Sequence, residues 1–311
     1  MIWPPHWGLH QKSNKQRQFL QTLKIIFILG PTAAGKTERA IQLAQQLKTH
    51  IISCDSRQFY SELNIGVARP SEEELAAAPH HFIACRSVRN PYNVFTFQED
   101  ALSCIEEISK TFDTLVAVGG SSLYIQALTH GISVLPDPAP ELRKALQDKL
   151  HNEGVESLRS MLKTLDPDYY ARVDLANGVR IQRALEVCIT TGTPYSQLIN
   201  KPLKPRSFQI ESEIVSPPRE ILRQRIDARV RKMMKSGLEQ EARDLFPLRN
   251  LTAMNTVGYK EFFSIWDKQG ATFPLTQTQE GEVIESICLN TWHYAKKQLT
   301  WLKKYSSLIQ Q

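Results

Sequence analysis

The sequence predicts an α/β protein in which a parallel sheet carries a phosphate-binding loop and an all-helical stretch is inserted into the chain. The first supporting observation is an apolar strand at 25–29 that runs into a glycine-rich loop and an amphipathic helix. The second is a pair of further apolar runs, 51–54 and 115–118, which are typical of buried strands. The third is the region from about 130 to 203, where the apolar spacing is helical and predicts no strand.

The first strand, its loop and the following helix form the most informative unit of the chain. Ile25–Leu29 leads into Gly30-Pro31-Thr32-Ala33-Ala34-Gly35-Lys36-Thr37, which fits G-x-x-x-x-G-K-T, and helical spacing follows from Glu38 to Lys48. Backbone N–H groups of such a loop point at an anion, and its lysine supplies a mobile positive charge. The Thr37 hydroxyl is placed to ligate Mg²⁺ held by the phosphates. An ordinary strand-to-helix turn explains neither the lysine nor the hydroxyl, so the unit predicts a site for a di- or triphosphate.

Asp55 follows the second predicted strand, within Asp55-Ser56-Arg57-Gln58. In an open parallel sheet, residues at the carboxyl ends of the strands face the ligand crevice, which predicts Asp55 beside the phosphate loop as a candidate base. An aspartate at a strand end is also a common helix cap or turn former. The neighbouring phosphate loop favours the functional interpretation, and the structural one stays open.

The third predicted strand ends in Gly119-Gly120-Ser121-Ser122. No carboxylate follows it, whereas nucleotide hydrolases usually hold magnesium with an aspartate at this position. Asp113 precedes the strand and therefore lies at its wrong end. These features disfavour a motor or switch NTPase. The glycine pair instead predicts a close approach of the backbone to a ligand, with Ser121 starting the next helix. A tight strand-to-helix turn is the alternative.

A basic helix is predicted after Ser216, which would be its N-cap, with two prolines in the first turn. Its apolar residues fall near one face, and Arg225 and Arg229 lie four residues apart on another. The two arginines are candidates for binding an anion. The alternative is a solvent-exposed stripe in which they pair with Glu220 and Asp227.

We interpret residues 1–22 as a mobile N-terminal extension, 23–129 and 204–311 as the core, and 130–203 as the helical insertion. The extension is polar and basic and lacks the apolar centre of a signal peptide, and no apolar run approaches membrane-spanning length. The five cysteines are widely separated and form no CxxC pattern. This fits reduced thiols in a cytoplasmic protein and excludes an obvious zinc site.

Basic residues are concentrated towards the end of the chain. The net charge is +6, and residues 201–250 contain 12 Lys plus Arg against 7 Asp plus Glu. The last helix adds Lys296, Lys297, Lys303 and Lys304 next to aromatic residues. Lysines seven apart share a helix face, so the helix predicts a basic edge for a polyanionic partner. A lysine face that is merely solvated is the alternative.

Six motifs in order carry a family resemblance: GPTAAGKT, CDSRQFY, VGGSSLYIQAL, VRIQRALEV, NTVGYKEF and YAKKQLTWLKK. From about Ile25 to Lys304 the chain resembles the bacterial-type tRNA dimethylallyltransferases, also called tRNA isopentenyltransferases of the IPP transferase family. The resemblance implies a P-loop nucleotide-kinase-like core with an inserted helical domain, a Mg²⁺ requirement and a monomer. It also implies transfer of the dimethylallyl group of dimethylallyl diphosphate to the exocyclic N6 amine of the adenosine 3′-adjacent to the tRNA anticodon.

The resemblance also implies residue roles. Asp55 matches the catalytic aspartate, and Arg229 matches an arginine that contacts the diphosphate. Thr32 is a further candidate contact to the diphosphate, and a hydrogen bond to the loop backbone is its alternative role. Arg143 and the segment 179–183 match tRNA-contacting positions of the family. The full set of predicted tRNA-contacting residues is Asp55, Ser56, Arg57, Gln58, Ser121, Arg143, Val179, Arg180, Ile181, Gln182, Arg183 and Lys297.

An adenine stacked in an anticodon loop cannot reach a carboxylate inside a crevice, so we expect the base to be flipped out. Arg57 and Gln58 are adjacent to Asp55, and a glutamine can pair with the edge of adenine. The chain departs from the family pattern at Ser121 and Ser122, where the pattern usually reads Thr-Gly. It also has Trp292 and Lys297 where arginines are common.

Three other functions fit the phosphate loop: a prenyltransferase that modifies free AMP or ADP, a P-loop kinase, and a non-enzymatic RNA-binding protein. The long helical insertion and the basic C-terminal region disfavour a free nucleotide as acceptor. A kinase would need ATP and a phosphate acceptor. The intact Lys36, Thr37 and Asp55 argue against a degenerate site.

Overall fold

The computed structural model describes residues 23–90, 92–199, 205–270 and 273–309. The predicted extension 1–22 lies outside these residues. The described strands form one five-stranded parallel sheet in the order β3-β2-β4-β1-β5. The strands are β1 Lys24–Leu29, β2 Ile51–Ser53, β3 His80–His81, β4 Thr114–Gly119 and β5 Gln209–Ile214.

The described helices follow in chain order. They are α1 Lys36–Leu47, α2 Glu72–Ala77, α3 Val94–Ile108, α4 Ser122–Thr129, α5 Pro140–Glu153, α6 Val155–Leu165, α7 Pro167–Tyr170, α8 Gly178–Thr191, α9 Tyr195–Ile199, α10 Arg219–Lys235, α11 Leu238–Leu245, α12 Lys260–Gln269 and α13 Gln277–Ile309. Two 3₁₀ turns, Phe246–Leu248 and Thr252–Met254, connect α11 to α12. None of the helices in the described part of the chain combines the length and the apolar character that a membrane span requires.

The sheet is covered on both faces, because alternate residues of its central strands enter different apolar clusters. Phe27 and Leu29 of β1 belong to a large cluster with Phe97, whereas Ile28 packs with Ala40 of α1 in a second cluster. Strands buried on both faces are near-continuous apolar runs, which is why β1 and β4 were recognisable in the sequence. The edge strand β5 is different: it is largely exposed and carries charged side chains, a common protection of a sheet edge.

The carboxyl ends of β1, β2 and β4 lie at the same edge of the sheet, since these strands pair in parallel. Two glycines allow the chain to pass closely at this edge. A Cβ at Gly30 would lie 2.3 Å from the carbonyl oxygen of Val215, and one at Gly119 would lie 2.5 Å from that of Cys54. Backbone cannot move aside as a flexible side chain can, so both positions require glycine.

Helix α10 begins later than its sequence predicts. The predicted N-cap Ser216 is wrong: the helix starts at Arg219, Pro218 occupies the N-cap, and no side chain caps the helix. A proline disfavours helical geometry in the residue before it, and Pro218 itself is extended, with ψ near 149°. The two prolines therefore precede the first turn rather than forming it.

The chain divides into two compact units, and the division falls after Thr129 and before Arg206. The second boundary is two residues later than the predicted 130–203 insertion. The smaller unit, His130–Pro205, is helical throughout its described residues, and its core contains Leu146, Leu158 and Leu185.

Candidate active site

The phosphate loop connects β1 to α1 with the geometry that its sequence predicts. Gly35 is left-handed, with φ near 97°, and Ala33 has φ near 62°. Helix α1 begins at Lys36, so the N–H groups of its first turn have no partner within the helix and suit an anion beside the loop. The Nζ atom of Lys36 folds back over the loop and donates a hydrogen bond to the carbonyl oxygen of Pro31 at 2.7 Å.

Burial in this loop lowers the pKa of Lys36 to about 8. The carboxylate of Asp55 opposes this shift, and the guanidinium of Arg229 adds to it. A bound anion would favour the charged form of the ammonium, because an opposite charge at short range stabilises it. A negatively charged ligand in the loop would therefore stabilise the protonated form of Lys36.

Helix α10 supplies two arginines to the phosphate loop. Arg225 donates a hydrogen bond to the carbonyl oxygen of Ala34 at 2.9 Å, and Arg229 reaches the hydroxyl of Thr32 at 3.4 Å. The alternative pairing with Asp227 is wrong, since the carboxylate of Asp227 bonds Arg231 at 2.9 Å, although the side chain of Arg225 is exposed. Burial lowers the pKa of Arg229, opposed by Glu74 and Asp55, and a guanidinium stays charged under such a shift.

Asp55 lies directly after β2 and is half-buried. Its Oδ1 accepts a hydrogen bond from the backbone N–H of Arg57 at 2.9 Å, so the turn-forming role considered for this residue is present. Its charge also acts on the pKa of Lys36, Arg229 and Tyr294, which places the carboxylate close to the phosphate loop. The structural and the functional interpretations of Asp55 are therefore compatible.

Ser121 connects the ends of β2 and β4. Its Oγ accepts a hydrogen bond from the backbone N–H of Ser56 at 3.0 Å and lies 3.1 Å from the hydroxyl of Ser56. The side chain is almost fully buried. The hydroxyl at this departure from the family pattern thus holds the Asp55 turn against the glycine pair.

Only the Oε1 atom of the Gln58 amide is left to pair with an adenine in this structure. Its Nε2 donates to the carbonyl oxygens of Val67 and Ala68, at 3.3 and 3.0 Å. The donor half of the amide is thereby used inside the protein. The structure favours Gln58 as a support of the 67–68 loop next to the site.

Gln298 of α13 is a site residue that the sequence did not single out. Its Oε1 accepts a hydrogen bond from the backbone N–H of Thr32 at 2.8 Å, and its Nε2 donates to the carbonyl oxygen of Gly120 at 2.9 Å. The available signals were its place in the YAKKQLTWLKK motif and its polar side chain at core spacing between Ala295 and Leu302. Such a residue is buried only when its polar atoms find partners.

Tyr294 lies one turn before Gln298, and its sequence position predicted no role in the site. Desolvation by the neighbouring groups, followed by the charge of Asp55, raises the pKa of Tyr294 to about 12, although the residue is 41% exposed. Ser121 and Gln298 are hydrogen-bond partners that oppose the shift. The phenol therefore stays protonated beside the Asp55 carboxylate at physiological pH.

The outer face of α13 is basic and aromatic, as its sequence predicts. Its side chains border an open depression lined by His293, Lys296, Lys297, Thr300, Trp301 and Lys304. Trp292 lies on the other side, buried, with Arg219 and Arg223 at 5.6 and 4.9 Å from its ring centroid. A tryptophan at this position thus packs under two arginines of α10.

In the helical unit, three of the predicted tRNA-contacting side chains gather on one buried carboxylate. Glu186 of α8 is approached by Arg143 at 3.5 Å, Arg183 at 3.3 Å and the amide of Gln182 at 3.1 Å. Glu186 is almost fully buried, whereas Arg143 and Arg183 remain half-exposed or exposed. The carboxylate therefore orients the cations of this surface.

The segment 179–183 has side chains that face solvent and one that faces the core of the helical unit. Val179 and Arg180 are exposed, and the side chain of Val179 is 74% exposed. Ile181 is fully buried in the core of the helical unit. A direct tRNA contact by the Ile181 side chain is therefore wrong, because helical periodicity turns this residue inward between its polar neighbours.

A family model described as IPP transferase matches residues 58–305. The chain is 43% identical over 280 residues to the tRNA dimethylallyltransferase of Christiangramia forsetii, with 90% of both chains covered. The chain belongs to the IPP transferase family. This confirms the family that the ordered motifs predicted.

Solved structures of two relatives agree with the fold. The full-length tRNA isopentenylpyrophosphate transferase of Bacillus halodurans matches with a TM-score of 0.63 and 31% identity, covering 90% of this chain and 86% of the other. A eukaryotic dimethylallyltransferase, solved in a study of its action on tRNA, matches with a TM-score of 0.74 and 26% identity. That alignment covers 90% of this chain and 70% of the eukaryotic one. The α/β fold class predicted for this IPP transferase family member is confirmed.

The donor set of this family member suits a magnesium diphosphate rather than an all-protein metal site. Across the part of the chain that the structure describes, no three His, Cys, Asp or Glu side chains gather to hold a metal ion. Thr37, half-buried in the first turn of α1, supplies one hydroxyl beside the loop. Mg²⁺ is commonly bound by few protein oxygens together with phosphate oxygens and waters, so the residues present fit such an ion.

Proposed function

We propose that this protein transfers the dimethylallyl group of dimethylallyl diphosphate to the exocyclic N6 amine of the adenosine 3′-adjacent to the anticodon in tRNAs, releasing diphosphate. The observation that carries the proposal is electrostatic. Asp55, half-buried directly after β2, acts on the pKa of two half-buried cations at the phosphate loop, Lys36 and Arg229, and the charge of Glu74 also acts on Arg229. A base for the acceptor and cations for the leaving group thus lie at the same edge of the sheet.

The donor half of the site suits a diphosphate leaving group. Negative charge develops on the diphosphate as its bond to the allylic carbon breaks, and fixed positive groups stabilise that charge. Lys36 and the loop N–H groups act from one side, and Arg229 acts from α10 beside the Thr32 hydroxyl. Magnesium held at Thr37 would supply further neutralisation of the diphosphate charge.

The acceptor half needs a base, since the lone pair of an aromatic exocyclic amine is delocalised into the ring. Asp55 takes the amine proton as the new C–N bond forms, a contribution typically worth about 10²–10⁴-fold in rate. The adenine reaches Asp55 only when flipped out, which costs a few kcal/mol and least in an unpaired loop.

The tRNA surface in this proposal has a part in each unit. In the larger unit it is the basic face of α13 with Lys297, and in the smaller unit it is the surface around Arg143, Arg180 and Arg183. Lysines and arginines on such surfaces bind phosphates without reading sequence. The proposal also includes a cytoplasmic monomer, which the resemblance to the family implies.

One assay tests the activity against its alternatives. The protein and magnesium are incubated with labelled dimethylallyl diphosphate and with tRNA, AMP or ATP. Label entering only a tRNA that has adenosine 3′ to the anticodon is the expected result. Label on AMP would identify a nucleotide prenyltransferase, and phosphate transfer from ATP would identify a kinase. Tight tRNA binding without any transfer would leave the non-enzymatic alternative.

Asp55→Asn sharpens the test, because it keeps the shape of the side chain and removes the base. Turnover should fall by about 10²–10⁴-fold while tRNA affinity stays within about twofold. Asp113→Asn is the matched control, an exposed aspartate at the opposite end of β4 that should retain full activity. Equal activity of both variants would remove Asp55 from the mechanism.

A further inference from the structure

Gln298 is a polar side chain buried in the larger unit, with an exposed fraction of 5%. It lies on α13 between Ala295 and Leu302, both of which pack into the core. Burying an amide is unfavourable unless both of its ends are hydrogen-bonded. Both ends of Gln298 are satisfied by backbone groups, the acceptor by Thr32 N–H and the donor by Gly120 C=O.

These two backbone groups belong to different loops of the active site. Thr32 lies in the phosphate loop after β1, and Gly120 lies in the glycine pair after β4. The fit is close: a Cβ at Gly120 would lie 2.3 Å from the Nε2 atom of Gln298. The amide of Gln298 therefore fixes the spacing of the two loops, with one bond of 2.8 Å and one of 2.9 Å.

Thr32 is held at two atoms from two helices. Its N–H is bonded by Gln298 of α13, and its hydroxyl is reached by Arg229 of α10. Since Thr32 is a candidate contact to the diphosphate, Gln298 sets the orientation of a ligand-binding residue without being a ligand itself. Leucine could replace neither bond, and glutamate would have no donor for Gly120.

The residue before Gln298 belongs to a different surface. Lys297 is exposed on the outer face of α13, in the depression that also contains Lys296 and Trp301. Adjacent residues of a helix point about 100° apart, so one rigid turn presents Lys297 outward and Gln298 to the phosphate loop. A shift of this turn on binding a polyanion would move the amide that holds Thr32.

We propose that Gln298 is a positioning residue that couples tRNA binding on α13 to diphosphate binding in the phosphate loop, each strengthening the other. This inference rests on the proposed function. The coupling is reciprocal by thermodynamic necessity: if tRNA raises the affinity for diphosphate by some factor, diphosphate raises the affinity for tRNA by the same factor.

The test measures both affinities in the full-length protein without turnover. Inorganic diphosphate with magnesium is titrated in the absence and presence of saturating tRNA, and tRNA is titrated with and without diphosphate. The unmodified protein should show a coupling factor of about fivefold or more in both directions. Gln298→Leu should bring the factor to about one, raise the KM for dimethylallyl diphosphate and leave the affinity for tRNA alone unchanged.

Two further variants separate coupling from a general loss of structure. Asn290→Ala removes another α13 contact, the 2.7 Å bond from Nδ2 to Glu261, and should keep the coupling factor of the unmodified protein. Gly120→Ala pushes the amide away while Gln298 itself is retained, and should reproduce Gln298→Leu. If Gln298→Leu does not fold, Gly120→Ala tests whether the amide contact is needed for the coupling.

The outcomes distinguish the two proposals. Unchanged coupling in both Gln298→Leu and Gly120→Ala, in a protein that transfers label to tRNA, overturns the role of Gln298 alone. Equal loss of coupling in Asn290→Ala would also overturn it, since any weakening of α13 would then suffice. An unmodified protein that transfers no label to tRNA overturns the proposed function, and the coupling falls with it.

Discussion

Burial of single side chains in the phosphate loop determines the charge available to a ligand. Lys36 is held by the carbonyl of Pro31 and lies near a second cation, Arg229. Burial makes its ammonium less stable than in water and Arg229 adds to this, and a diphosphate would reverse that balance. A testable pH dependence follows from this arrangement.

The affinity for inorganic diphosphate should fall as the pH rises through about 8, the value to which burial lowers the pKa of Lys36. The sign follows from the charge: the protonated lysine binds the anion, and a group with this pKa is about one-tenth protonated at pH 9. We expect about a tenfold loss of affinity between pH 7 and pH 9, measured by titration calorimetry.

Diphosphate also loses protons as the pH rises, and Lys36→Met is the control for that effect. It should bind more weakly at every pH, and its affinity should lack the fall that comes from the lysine. An identical pH profile in Lys36→Met and the unmodified protein would contradict the assignment.

At the scale of elements, the position of the phosphate loop depends on close contact between β1 and the end of β5. The methyl group of Gly30→Ala would lie 2.3 Å from the carbonyl oxygen of Val215, so strand or loop would have to shift. We expect the free energy of unfolding to fall by about 1–3 kcal/mol. Affinity for diphosphate should fall with it, because the loop follows directly.

Gly281→Ala is the matched substitution. Gly281 lies on an exposed face of α13 with nothing within 4 Å of an added Cβ. This change should raise the free energy of unfolding by about 0.5–1 kcal/mol, since alanine stabilises the interior of a helix more than glycine does. Urea unfolding of both variants checks the pair, and equal effects of the two would exclude the contact with Val215 as the cause.

At the scale of the whole molecule, positive charge and its distribution govern the affinity for a polyanion. The chain carries a net charge of +6, and α13 presents a basic face in the larger unit. Binding of tRNA should weaken as salt is raised, because counterions are released from neutralised phosphates. Lys297→Ala should reduce the slope of log affinity against log salt by about 0.9, the value for one duplex phosphate contact.

Lys110→Ala serves as the reference for the salt experiment. Lys110 pairs with Glu107 and precedes β4, at the sheet edge opposite the phosphate loop. Its removal lowers the net charge by the same amount and should leave the slope unchanged. A slope that drops equally in both variants would show that net charge, rather than contact at α13, sets the salt dependence.

The sequence predicted most of the structure where the signal is local. Strand β1, the loop and α1 were recognised within two residues, and β2 and β4 were recognised as buried apolar runs. Strand β5 was missed because its exposed, charged edge does not resemble a buried parallel strand. The start of α10 was predicted too early, because the sequence alone does not tell a proline at the N-cap from one in the first turn.

The site was predicted less completely than the fold. The expected fold class and family are confirmed, while the roles of Asp55, Arg229 and Thr32 in catalysis remain predictions. Periodicity explains the error at Ile181, since a segment matched as a whole includes the residue that faces the core. Glu186 and Gln298 were missed because buried polar residues reveal themselves only through their partners.

The phosphate loop, the sheet-and-helix class and the family could be read from the amino acids, because these depend on residues that are contiguous or follow a short period. The side chains that complete the loop became known only from the folded chain. Arg229 meets Thr32 across 197 residues of chain, and Gln298 meets the same residue across 266. Such contacts depend on how helices far along the chain pack against the carboxyl edge of the sheet, which no local pattern encodes.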